Sequence, residues 1–96
     1  MRDYELTVVF KTDLEEDERE AALGRVTGWL VEAGAAEDAI VANHWGQKTL
    51  AYQVDGNDVG YYVMFEANID PTKTREMERS MKFRDEILRH LLIRKV

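Results

Sequence analysis

The chain has no cysteine among its 96 residues. A disulfide framework and a thiolate metal site are therefore both excluded, which suits a reducing compartment such as the cytoplasm. Serine occurs once, at Ser80, and nothing around it resembles a nucleophile elbow. Proline also occurs once, as Pro71, and histidine only at His44 and His90. No run approaches the roughly 18 apolar residues of a membrane span. The opening Met1-Arg2-Asp3-Tyr4-Glu5 lacks the basic start and apolar stretch of a secretion signal. Phosphate-cradling GxGxxG and Walker loops are missing too. These absences point away from membranes, cofactors and small-molecule substrates, and towards a soluble module.

Hydrophobic residues make up 45% of the chain, enough for a packed core without staples, and the length suits a single domain over residues 1–96. The formal charge of −6 at first argues against nucleic acid. Its distribution weakens that objection. Between Thr12 and Glu20 six acids face one arginine, a local charge of −5 that leaves only −1 elsewhere. An acidic cluster confined to one helix start leaves room for a basic patch on another surface.

Hydrophobic periodicity divides the chain into six elements. Tyr4, Leu6, Val8 and Phe10 alternate with Asp3, Glu5, Thr7 and Val9, the period of a half-buried strand. Thr12 and Glu15 have the spacing of a capping box. The helix that follows carries Val26 and Leu30 on its inner stripe, with Gly34 as a stop. From about Ala39 to Val54 the chain reads as a long strand, with a bulge or bend at Gly46. Asp55-Gly56-Asn57-Asp58 is a hairpin turn. A third strand opens at Gly60, with Tyr61, Val63, Phe65, Ala67 and Ile69 on one side and Tyr62, Met64, Glu66 and Asn68 on the other. Asp70 is placed to cap a second helix with Pro71 at its first position, and Met77 and Met81 mark its buried stripe. Residues 87–93 form a last strand, apolar on both faces. The order β-α-β-β-α-β predicts an α+β, ferredoxin-like split βαβ fold, with two helices on one face of a four-stranded antiparallel sheet. The other face stays open and should display Val9, Tyr62 and Met64, a surface that suits a partner.

Catalysis finds little material. The two histidines lie on different predicted strands with no second metal ligand at useful spacing, and the first helix's carboxylates form a solvent-facing cluster. An RNA-recognition motif, which shares this topology, would need a basic start and interleaved aromatics in the third strand. Val59-Gly60-Tyr61-Tyr62-Val63 does not supply them, and Tyr61 belongs to the core. Cations that could act together are Arg2, Lys48, Lys82, Arg84 and Arg89. Because first and last strands are neighbours in this topology, Arg2 and Arg89 are expected close together.

Four segments in register carry a family resemblance: Met1-Arg2-Asp3-Tyr4-Glu5, then Trp45-Gly46-Gln47-Lys48-Thr49-Leu50-Ala51-Tyr52, then Gly60-Tyr61, and finally Phe83-Arg84-Asp85 with Ile87-Leu88-Arg89. Together they resemble the sixth protein of the bacterial small ribosomal subunit, from Met1 to about Lys95. The chain departs from that pattern at Gln47, where the family has a basic residue, and at Gln53, where it has proline. The resemblance implies a non-enzymatic, ribosome-associated protein of the cytoplasm. Its partners would be the central domain of small-subunit ribosomal RNA and the eighteenth small-subunit protein, a small basic chain. RNA contact then falls to Arg2, Lys48, Lys82, Arg84 and Arg89, and partner contact to Val9, Trp45, Tyr62 and Met64. A dimeric ferredoxin-like enzyme or small-ligand sensor is the other reading this topology allows.

Overall fold

The alternation of the first strand is realised in full. In the computed structural model, which describes residues 1–95, strand β1 spans Arg2–Phe10 and buries Tyr4, Leu6, Val8 and Phe10 on one face. Val96, the expected end of the domain, lies outside the described residues. Helix α1 follows at Glu16–Glu32, strands β2 and β3 at Val41–Val54 and Asn57–Ile69, helix α2 at Thr74–Lys82 and strand β4 at Ile87–Arg94. The strand order is β2-β3-β1-β4 with every neighbouring pair antiparallel. This is the ferredoxin-like split βαβ arrangement, with α1 packed against β3 and α2 against β4.

The core lies between this sheet and the helices. Ala22, Val26, Leu30 and Ala33 come from α1, Met77 and Met81 from α2, and Val63, Phe65 and Ile69 from β3. Spacings of three and four place each helical set on one face. The helix start differs from expectation. Thr12 is not the cap: Glu15 occupies that position, and Glu18 Oε1 accepts a hydrogen bond from its backbone N–H at 3.0 Å. Leu14 packs against the core, so the chain must reach inward before the first helical turn can begin. The second helix begins as anticipated, with Asp70 Oδ1 accepting from the Thr72 N–H at 2.9 Å and Pro71 opening a 3₁₀ turn that leads into α2.

Four irregularities shape the sheet. At Gly46 the backbone has φ +83° and the β2–β3 register shifts, the bulge anticipated there. The hairpin turn is tighter than the four residues expected: Asp55 and Gly56 both have positive φ, Val54 pairs with Asn57, and Asn57 and Asp58 already belong to β3. A two-residue turn of this kind matches strand twist and lets pairing run to the tip. A short 3₁₀ turn at Glu37–Ala39 delays β2 to Val41. Finally, β1 and β4 slip register between Val9 and Phe10, which turns Leu88 towards the open face beside Val9.

Candidate nucleic-acid and partner interface

Strand pairing fixes what the helix-free face displays, because directly paired residues on neighbouring strands point the same way. One row runs Val41, Glu66, Glu5, Ile93 across the four strands; the next Asn43, Met64, Thr7, Leu91; the next Gly46, Tyr62, Val9, Arg89. The middle of the face is thus an apolar band. Leu91 is 58% exposed and Ile93 47%, while Met64 and Tyr62 are half-buried. Between Thr7, Tyr62, Arg89 and Leu91 lies a shallow depression of about 190 Å³.

Val9 departs from expectation. It is buried, at 5% exposure, by the chain's own residues: Leu50 of β2 and Leu88 of β4 cluster with it, and Val54 and Tyr62 pack at their margin. The arm formed by the end of β2 and the start of β3 runs past the end of β1, whose Phe10 pairs with Tyr61, and its Leu50 packs on Val9. The sequence cannot reveal this cover, since Leu50 and Val9 are far apart in the chain. Val9 contributes only the floor of the depression between Thr7, Tyr62, Arg89 and Leu91.

The five candidate cations divide into two groups. Antiparallel pairing sets Arg89 opposite Val9, at the far end of β1 from Arg2, whose sheet partner is Ile69. Seven residues of strand separate the two arginines by about 23 Å, so their expected closeness is overturned. Adjacency of two strands does not bring together residues at opposite ends of an antiparallel pair. Arg2 instead neighbours Arg94 and Lys95, since Arg94 pairs with Tyr4 and the Lys95 N–H donates to Asp3 O. The other four share one end of the molecule. Lys48 pairs with Gly60 at the start of β3, Lys82 closes α2, Arg84 lies in the turn before β4, and Arg89 lies just inside it.

Local contacts orient these groups. Lys48 Nζ lies over the Trp45 ring at 5.5 Å, and the Arg89 guanidinium over the Tyr52 ring at 5.2 Å. Both rings are largely exposed, so the pairs present cations and aromatic edges together on the open face. Arg84 Nε donates to Glu86 Oε2 at 3.0 Å, and Arg25 Nη2 donates to the same oxygen at 2.9 Å. Burial raises the Glu86 pKa, but hydrogen bonds from its own backbone N–H, Arg84 and Arg25 outweigh it and hold the carboxyl below its ordinary 4.5. This bridge fixes the turn before β4 against α1.

The opposite end of the open face is acidic. Glu5 and Glu66 are directly paired across β1 and β3, with Asp3 one row on. Glu66 accepts from Asn43 Nδ2 at 3.0 Å and meets Lys95 Nζ at 3.3 Å, and these contacts, Asn43's first, hold its pKa low. Like charges directly opposite each other are unfavourable in an isolated sheet.

The histidines are bonded on the other side of the sheet, although His90 also borders the depression beside Arg89 and Leu91. His44 Nδ1 meets the Tyr61 hydroxyl at 2.8 Å, and His90 Nε2 meets Glu78 Oε1 at 3.1 Å across the β4–α2 contact. Each serves a local bond, and the Glu78 side chain is itself 37% exposed. Tyr61 packs on the core as expected and carries the Arg19 guanidinium 4.4 Å over its ring.

Four large side chains on this face lie outside the residues singled out from sequence: Val41, Tyr52, Leu91 and Ile93. The signal for the last two was present in a final strand apolar on both sides. Val41 and Tyr52 lie on an edge strand whose exposure follows from sheet order alone.

The family model for ribosomal protein S6 matches residues 3–94. The small ribosomal subunit protein bS6 of Caldanaerobacter subterraneus is 37% identical over 94 residues, covering 98% of this chain and 97% of that one. The bS6 protein of Thermoanaerobacter pseudethanolicus is 36% identical over the same shares. Among solved structures, 30S ribosomal protein S6 of Thermotoga maritima superimposes with a TM-score of 0.85 at 23% identity, over 98% of this chain and 87% of that one, a likeness of fold. With a family model spanning nearly its whole length and relatives of this identity, the chain belongs to the ribosomal protein S6 family.

Proposed function

We propose that this protein is a structural, non-catalytic constituent of the small ribosomal subunit. In this reading it binds the central domain of small-subunit ribosomal RNA jointly with the eighteenth small-subunit protein. Family membership supports the ribosomal role and a cytoplasmic, ribosome-associated location. The single observation that carries the finer reading is the sequence of an acidic end and an apolar band on the open face, followed by an end of the molecule where Lys48 and Arg89 on that face meet Lys82 and Arg84 from α2 and its turn. Leu91, Ile93, Met64 and Tyr62 would take the apolar part of a partner. Glu5, Glu66 and Asp3 would take its cations, relieving the repulsion between Glu5 and Glu66. Lys48, Lys82, Arg84 and Arg89 remain at the other end for phosphate, where counterion release supplies affinity. An acidic protein can in this way join an RNA assembly, its own negative charge being covered by a basic neighbour.

Leu91→Asp tests the division. Leu91 is exposed, so stability should change by no more than about 0.5 kcal/mol. Joint binding of protein and basic partner to a central-domain RNA fragment should fall sharply, because a charge enters the apolar band. Wild-type joint binding by a stable Leu91→Asp protein would remove the band from the interface.

A further inference from the structure

The helix-bearing side carries an aromatic residue that the open face does not explain. Phe83, just past the last turn of α2, is 75% exposed, the highest value among the large hydrophobic side chains described. The other two strongly exposed aromatics, Trp45 and Tyr52, each have a cation of this chain over the ring; among the described residues none lies over Phe83. Its backbone is nevertheless fixed. The Phe83 N–H donates to Ser80 O, the Arg84 N–H to Met81 O, and the Ile87 N–H to Arg84 O, while Glu86 pins Arg84 from the other side. A ring carried on a rigid turn spares the backbone part of the ordering cost on binding.

Behind Phe83 runs a line of positive charge. Arg75, Arg79 and Lys82 follow one another at spacings of four and three, which places them on one stripe of α2, opposite the buried Met77 and Met81. All three are exposed, and among the described residues none takes part in an ion pair. The helix carries two acids beside this line: Glu78, engaged by His90, and the exposed Glu76, so three cations stand against two carboxylates on α2. The stripe is roughly 10 Å long at 1.5 Å of rise per residue, long enough to meet adjoining phosphates of one strand. In a chain of net charge −6 such a line is a local exception.

We propose that Phe83 with Arg75, Arg79 and Lys82 forms a site for an unpaired nucleotide of RNA, the ring stacking on its base and the stripe taking the adjoining phosphates. This deepens the RNA-binding reading and rests on it. A protein occupant fits less well, because a protein interface needs contiguous apolar surface, whereas Phe83 is one ring among cations. Every base has a flat π-face, so a ring flanked by phosphate-binding cations suits single-stranded RNA irrespective of sequence.

The test uses the full chain with its basic protein partner and a central-domain ribosomal RNA fragment, titrated over a range of salt. Phe83→Ala should weaken RNA binding about ten-fold, the scale of one lost stack, while leaving the slope of log affinity against log salt unchanged. Phe83→Trp should restore affinity and show fluorescence quenching on RNA addition beyond that of the wild type. Arg79→Ala with Lys82→Ala should instead reduce the slope by about two units. Wild-type affinity in a folded Phe83→Ala protein would overturn the inference and leave the broader reading intact. So would weakened binding of Phe83→Ala to the protein partner without RNA, or full rescue by Phe83→Leu. Absence of RNA binding by the wild type with its partner would overturn both.

Discussion

Glu86 ties the turn before β4 to α1, receiving Arg25 from the helix and Arg84 from its own turn on one oxygen. Its carboxyl is held below 4.5 when folded, so between the folded and unfolded values the unfolded chain binds more protons. Stability therefore rises with pH through that window. The contribution is present above about pH 4.5 and is lost as the pH falls through the folded value. Glu86→Gln should flatten this part of the stability profile, as chemical denaturation at pH 3 to 7 would reveal. Gly24 and Gly28 make a second residue-scale case. Both lie within α1, and a methyl group at either meets nothing within 4 Å. Replacing each by alanine should stabilise the protein by about 0.5–1 kcal/mol, measured as a higher denaturation midpoint with unchanged slope.

At the scale of elements, the hairpin arm of β2 and β3 has two tasks. It extends the sheet, and it folds Leu50 over Val9 and Leu88 to make a small second core on the open side. Leu50→Ala should cost about 2–3 kcal/mol, the lower part of the usual range because the cluster is small. It should also free the arm, raising hydrogen exchange from Thr49 to Val59 more than in β1. Equal protection changes throughout the sheet would mean that the arm is held by its ladder alone. Gly60 belongs to the same packing: a methyl group there would overlap Val9 Cγ1. The glycine that opens the third strand in sequence is therefore a close approach within this second core.

For the whole molecule, charge is divided by position. Arg89 shares one end with Lys48, Lys82 and Arg84, whereas Arg2 lies at the other beside Arg94 and Lys95. If the basic end is the phosphate surface, Arg89→Ala should lower the salt slope of joint RNA binding by about one unit. Arg2→Ala should do so only where RNA reaches both ends, about 23 Å apart along β1. Measuring both slopes in one titration series maps how far the RNA extends.

The amino-acid sequence by itself determined the six elements, the inward set of β1 and β3, the bulge at Gly46, the Asp70–Pro71 helix start and the family. All of these depend on near neighbours: a period of two, a cap a few residues away, a glycine where φ must be positive. Its misreadings came where a distant segment decides. Thr12 yielded the cap because Leu14 is drawn into the core, and Val9 lost its exposure to Leu50, forty-one positions along the chain. The tertiary structure alone decided that Arg89 sits far from Arg2, and that Leu91 and Ile93 complete an apolar band with Met64. Register and direction in a β-ladder are set by pairing between strands remote in sequence, and a shared surface exists only once that pairing is made.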